Sequence, residues 1–259
     1  MQVRRGWQGV LVNVVLAWAS WEPVPAQGER GASEVWNAEL LQRLAEPWRS
    51  HALHVAQAPQ IRSTGRAETF PCRRELYVWL LEHPDWGYWL WQQLGARGVQ
   101  VRAVGNGEFV GEDEHGNRMN WHTIYHEPGL RLWYVEATGR GKLLSQPAHV
   151  RALLLLRYRG LRAPQGQTGI RHQAELAAQV DARGWQVILR FGQQAAQEFA
   201  RQCLEQVQLF FAGMAWYVTE HPQWAREQVQ KLMRQHPEQA QVGEQLLRLL
   251  AECPDAEGL

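Results

Sequence analysis

The sequence predicts an α+β fold: a curved antiparallel meander of six to seven strands gripping a long C-terminal helix, with helical N- and C-terminal extensions. Three observations carry this. Residues 99–181 alternate in short runs divided by tight-turn signals. Residues 183–218 follow with apolar positions at spacings of three and four. Most connections between the runs are too short for parallel crossovers, so the strands are antiparallel neighbours.

Export is expected from the N-terminus. Arg4 and Arg5 precede an apolar stretch from Val10 to Ala19, and Val24-Pro25-Ala26 places small residues before a cleavage point. That stretch is far shorter than the roughly 20 residues that span a bilayer. The expectation is a signal peptide over 1–26 and a periplasmic or extracellular protein; a single retained N-terminal anchor is the alternative. Removing 1–26 takes away two Arg and one Glu, so the formal charge of +1 falls to zero. A neutral chain offers no broad basic field for nucleic acid. Cys72, Cys203 and Cys253 are too few for a disulfide scaffold; a Cys72–Cys203 bridge or buried free thiols are the two readings.

Residues 27–59 form a helical extension that reads as peripheral, with Ser33 as cap and Pro47 as stop. His51 and His54 lie one turn apart without a third ligand, which marks a solvated helix face. A strand is expected near 60–68. Pro71 then opens a helix that Pro84 breaks in two, ending at Gly95 or Gly98. Four tryptophans, Trp79, Trp86, Trp89 and Trp91, fall in this stretch and read as core filling.

The six runs are 99–104, 108–113, 118–126, 130–138, 149–159 and 170–180. Gly105-Asn106-Gly107, His115-Gly116-Asn117 and Pro128-Gly129 mark turns between them. On the last run Ile170, His172, Ala174, Leu176, Ala178 and Val180 share an inner face, with Arg171, Gln173, Glu175 and Gln179 on a wet one. On the fifth, Val150, Ala152, Leu154, Leu156 and Tyr158 point inward. On the fourth, Leu132, Tyr134 and Glu136 are read as inward, with Trp133 and Val135 as the alternative. The helix from Arg183 carries Phe199, Phe210 and Phe211 toward the sheet. Two short helices over 221–259 finish the chain.

An internal echo links Trp79-Leu80-Leu81-Glu82-His83-Pro84-Asp85-Trp86 with Trp216-Tyr217-Val218-Thr219-Glu220-His221-Pro222-Gln223-Trp224. Both read as a helix that ends in Glu-His-Pro and resumes. The order of elements over about 60–220, with the helix Tyr77-Val78-Trp79-Leu80-Leu81-Glu82-His83-Pro84, resembles the helix-grip architecture of the START-like superfamily. The resemblance implies a cavity between sheet and last helix that holds lipids, sterols or polyketides, in carriers more often than in enzymes.

No dinucleotide fingerprint, phosphate loop, nucleophile elbow, zinc-protease or Cys-x-x-Cys motif occurs. His122 and His126 stand about 13 Å apart along a strand, too far for one metal ion. No cofactor and no metal is expected. The expected ligand is an apolar or amphipathic small molecule, such as an envelope lipid, with transient membrane contact. Its lining is read as Leu154, Leu156, Tyr158, Leu176 and Phe210, and its polar contacts as Tyr134, Glu136 and His172. The alternatives are an envelope interaction protein with a solid core, and a cyclase- or hydrolase-like enzyme using His172 and Glu136.

Overall fold

The computed structural model describes residues 38–96, 99–113, 117–139, 148–162, 168–181 and 193–253. The expected signal peptide and the helical run over 183–192 lie outside them. In chain order the elements are α1 (Ala38–Gln42), α2 (Trp48–Gln57), β1 (Ile61–Thr64), β2 (Glu68–Pro71), α3 (Arg74–Glu82) and α4 (Pro84–Gln93). Then come β3 (Val99–Gly105), β4 (Glu108–Asp113), β5 (Arg118–Glu127), β6 (Leu130–Gly139), β7 (Ala148–Arg162) and β8 (Thr168–Val180). The chain continues with α5 (Gln193–Glu220), α6 (Pro222–Gln235), a 3-10 turn (Pro237–Gln239) and α7 (Ala240–Ala251). Among the described residues no helix is long and apolar enough to cross a membrane.

The fold is α+β, with an open antiparallel meander sheet ordered β1-β8-β7-β6-β5-β4-β3 and β2 also paired to β8. The expected strand at 60–68 is two strands. Ile61–Thr64 runs along Ala178–Glu175, and Glu68–Pro71 resumes along His172–Gly169. Gly65 sits at the break, its N–H donating to the Ala174 carbonyl at 2.9 Å. A Cβ on Gly65 would lie 1.6 Å from Oε1 of Gln208, a buried α5 side chain whose amide donates to the Arg66 carbonyl at 2.7 Å. Gly65→Ala is therefore expected to cost about 1–3 kcal/mol, as overpacking does, read as a lower urea midpoint at unchanged m.

Pro71 ends β2 rather than opening a helix, because its carbonyl partner strand reaches Gly169 and α3 starts only at Arg74. The Pro128-Gly129 turn forms as expected. Gly129 has φ +95°, and a Cβ there would meet the Tyr158 carbonyl at 3.0 Å. The two echoing segments share one geometry: His83 (φ −126°, ψ 59°) and His221 (φ −126°, ψ 57°) each end a helix, with proline starting the next. Each imidazole packs 4.5 Å from the aromatic ring four residues back, Trp79 or Tyr217. The echo is thus a repeated helix-break solution.

Both faces of the sheet are covered. The inner face meets α3, α4 and α5, with α5 packed on β1, β2 and β8. The outer face meets α1 and α2: Leu41, Leu44, Ala52 and Val55 pack against Leu130, Leu132, Tyr134, Leu153, Leu155 and Ala177. This corrects two expectations. The described part of the N-terminal extension, from Ala38, is not peripheral, and the outer face of β8 is not wet throughout: Glu175 is buried, and Gln179 donates to the carbonyls of His54 and Ala58 at the end of α2. Pro47 begins α2 instead of only stopping a helix. A strand pair buried on both sides reads as a continuous apolar run, and Leu153-Leu154-Leu155-Leu156 is such a run.

Of the three cysteines, Cys72 and Cys253 are buried and Cys203 is exposed, all as free thiols. Burial pushes the Cys72 thiol up to about 12, which makes it unreactive.

Candidate functional site

Register fixes which predicted site residues meet. Tyr158 is the partner of His172, and Leu154 is the partner of Leu176. Leu154, Leu156, Tyr158, His172 and Leu176 therefore share the inner face. Tyr134 is the partner of Leu153, which is the partner of Ala177. That places Tyr134 and Glu136 on the outer face, away from His172, and corrects their inward assignment. The inward residues of β6 are Arg131, Trp133 and Val135. With apolar side chains on both faces of β6, alternation had no polar side to point out. The pairing of His172 with Glu136 in acid–base chemistry falls with that correction, since a sheet stands between them.

His172 belongs to a buried network at the meeting of α3, β2 and β8. Its Nδ1 is 2.6 Å from the Tyr77 hydroxyl, and its Nε2 is 3.2 Å from Oε2 of Glu68. A carboxylate only accepts, so Nε2–H donates to Glu68 and the Tyr77 hydroxyl donates to Nδ1. Phe70 packs edge-on to the imidazole at 5.0 Å, and Tyr158 edge-on to Tyr77 at 5.5 Å. Tyr77 has no exposed surface, and burial holds its phenol well above the ordinary value. These features suit an internal tie between helix and sheet, with every polar atom of the imidazole partnered. Arg131 makes a second tie: its buried guanidinium donates to the Leu81 carbonyl at 2.9 Å and to Glu82 at 3.3 Å, at the C-terminal end of α3.

Tyr134 and Glu136 take part in an outer cluster under α2. The Tyr134 hydroxyl donates to Glu136 at 3.2 Å. Burial, followed by the Glu136 charge, pushes this phenol up to about 12. Trp48 packs 5.6 Å from Tyr134 and 4.5 Å from His122, and His51 packs 5.4 Å from Tyr134. Both His51 and His122 thus have aromatic partners, and among the described residues no group of three potential ligands is placed to hold a metal ion.

The inner face has a deep part and a shallow part. Leu156, Tyr158 and His172 are core residues, whereas Leu154, Leu176 and Phe210 are half-buried. Trp133 stacks on Phe211 with ring centroids 5.8 Å apart and planes 6° apart, filling the middle of the sheet–helix space. Phe210 packs on Phe211 at 4.9 Å and on Trp91 at 5.2 Å, in the wall made by α4 and α5. Beside the stack lie Leu154 and Leu176, in register with Trp133, and one step along the strands Val135 and Trp121, all half-buried. Ala152 and Ala178, register partners on the same face, stand between them as small residues. Sequence reasoning found Leu154 and Leu176 but missed Trp121, because β5 is too polar overall to show which of its sides faces inward.

Two open clefts mark the surface. One of about 500 Å³ lies between α3 and α7, along Val78, Trp79, Arg248 and Leu249. Another of about 290 Å³ lies by the β5–β6 turn, along Glu127, Arg157, Arg159, Arg171 and Gln173. His172 also lines the second cleft, but its side chain has no exposed surface.

No family model matches the sequence, and no curated protein matches it. Among solved structures, the chain is loosely similar to a conserved protein from Geobacillus kaustophilus, with TM-score 0.38 and 10% identity over 60% of this chain and 94% of that one. A hypothetical protein from Helicobacter pylori gives TM-score 0.35 and 8% identity, over 76% of this chain and 99% of that one. The di-domain ARO/CYC protein BexL of the BE-7585A biosynthetic pathway gives TM-score 0.36 and 13% identity, over 64% of this chain and 52% of that one. Similarity at this level assigns neither a family nor a function.

Proposed function

We propose that this is an exported binding protein that holds an apolar or amphipathic small molecule, such as an envelope lipid, against the inner face of its sheet. One observation supports the reading above others: the half-buried apolar side chains Trp121, Val135, Leu154 and Leu176 run across four adjacent strands beside α5. Helix α5 reaches the row through Ala200, whose cluster with Ile61, Ala152, Ala178 and Val180 packs against Val135 and Leu176, and the four side chains of the row stay half-buried where Leu156 is fully buried. Strands lie about 4.8 Å apart, so the row is about 14 Å across. That width suits an acyl chain or a fused-ring molecule.

The expected lining is accordingly revised to Leu154 and Leu176 with Val135 and Trp121, bounded by Phe210 in the aromatic wall. Leu156, Tyr158 and His172 continue the same face into the buried core, and Tyr134 and Glu136 have no part in the lining. A second reading, an envelope interaction protein with a filled core, draws on the Trp133–Phe211 stack.

The two readings part on one substitution. Leu154→Trp places an indole in the half-buried row. On the binding reading it weakens uptake of Nile red, a neutral apolar dye, by at least about tenfold, or about 1.4 kcal/mol. Its melting temperature should stay within a few degrees of the parent. Saturable dye binding that is equal in parent and variant would contradict the groove. A parent that takes up no dye would favour the filled-core reading.

A further inference from the structure

We propose that β3 is an interaction edge whose partner is β3 of a second copy of this chain, so that two sheets join into one across a two-fold axis. This inference stands independently of the apolar groove.

The meander leaves β3 at one end of the sheet, whereas α5 packs on β1 at the other. An edge strand carries a row of unpaired N–H and C=O groups, and proteins blunt such edges with lysine, proline, a bulge or a covering element. The run 99–103 holds neither lysine nor proline, and its pairing with β4 is regular; the bulge comes only after it, between Ala103 and Gly105. Helix α4 reaches β3, yet Gln100, Arg102, Ala103 and Val104 stay exposed. Among the described residues, the run makes no hydrogen bond outside the β3–β4 ladder. Exposed apolar side chains stand at the same end of the sheet. Val104 is 54% exposed and Met119 is 37% exposed, the latter paired with Gly111, which is the β4 partner of Val101.

The residue pattern selects a second copy as the occupant. An antiparallel strand pairs with itself about a two-fold axis, which makes the contact isologous. With Val101 on the axis, Val101 meets Val101 of the second copy, and Gln100 meets Arg102 of the second copy. Gln100 is the β4 partner of Glu112, whose β5 partner is Arg118. The joined sheet therefore carries a row of Arg102 from one copy, then Gln100, Glu112 and Arg118 from the other, with basic and acidic groups alternating. Arg102 and Glu112 are exposed and form no ion pair among the described residues. Centring the axis on Arg102 would set two guanidinium groups face to face, and like charges directly opposite destabilise a strand pair. Centring it on Gln100 would leave Arg102 and Ala103 opposite positions before β3 begins. Val101 is the centre that pairs the whole run without a like-charge contact.

Sedimentation equilibrium of the purified protein tests this, with Val101→Lys and Val101→Glu as variants. The parent is expected to show a reversible monomer–dimer equilibrium. Each variant sets two like charges on the axis and should weaken dimerisation at least about tenfold. Its far-UV circular dichroism should match the parent, because Val101 is only half-buried. An equimolar mixture of the two variants should dimerise again, since lysine then faces glutamate. That rescue requires residue 101 of one copy to lie opposite residue 101 of the other, which a mere loss of folding would not produce. A parent that stays monomeric up to about 1 mM would overturn the proposal. So would dimerisation of unchanged strength in Val101→Lys, or a mixture that stays monomeric.

Discussion

Replacing His172 by alanine is expected to destabilise the fold by about 2–4 kcal/mol, the range for removing a buried packed side chain and stranding its partners. Three losses add. The imidazole leaves a cavity beside Phe70, Tyr77 and Tyr158. The Tyr77 hydroxyl, wholly buried, loses the acceptor 2.6 Å away. Glu68 loses the N–H donor at 3.2 Å. Tyr77→Phe alone removes one hydrogen bond and should cost about 1 kcal/mol. Because the two residues share that bond, the double variant His172→Ala/Tyr77→Phe should cost less than the sum of the singles. Urea unfolding of the four proteins checks this. Additive losses would contradict a coupled network, and an unchanged midpoint in His172→Ala would show that the imidazole does not hold α3 to the sheet.

Trp133→Ala should cost about 3–5 kcal/mol, as large aromatic truncations in a core do. The ring is 2% exposed and lies flat against Phe211, so its removal opens the space between sheet and α5. The indole Nε1 is buried without a hydrogen-bond partner, as is Oγ1 of Thr123, its register partner on β5. An unpartnered donor adds nothing to stability, so Trp133→Phe should cost less than about 1.5 kcal/mol while keeping most of the packing. A lower urea midpoint at unchanged slope in Trp133→Ala, with Trp133→Phe near the parent, is the expected pattern. Equal losses in both would mean that indole volume, not the aromatic stack, sets the stability.

These predictions rest on residues that the sequence exposes to very different degrees. The strand runs from 99 to 180 are legible because turn chemistry punctuates them: Asn106-Gly107 and Pro128-Gly129 sit where the chain reverses. The inner faces of β7 and β8 are legible because His172 and Tyr158 alternate with arginines. What alternation cannot reveal is a face that is buried on both sides. Leu153 and Leu155 point to the outer face, and their apolar character is the signal that something covers it. That cover is α2, whose Ala52 and Val55 recur at helical spacing. On β6 the same double burial hides the direction of Tyr134. Arg131 deepens the ambiguity, because a charged residue is expected outward and instead ties the end of α3 from within. At the division of β1 from β2 the Arg66 carbonyl is met by Gln208, more than a hundred residues away, a contact that no local pattern encodes.

The groove is the central claim, and native mass spectrometry of the gently purified protein tests it most directly. The account predicts a reproducible additional mass that leaves on solvent extraction, returns on incubation with the extract, and is absent from Leu154→Trp. Bare protein in every preparation, with Nile red refused as well, would contradict it.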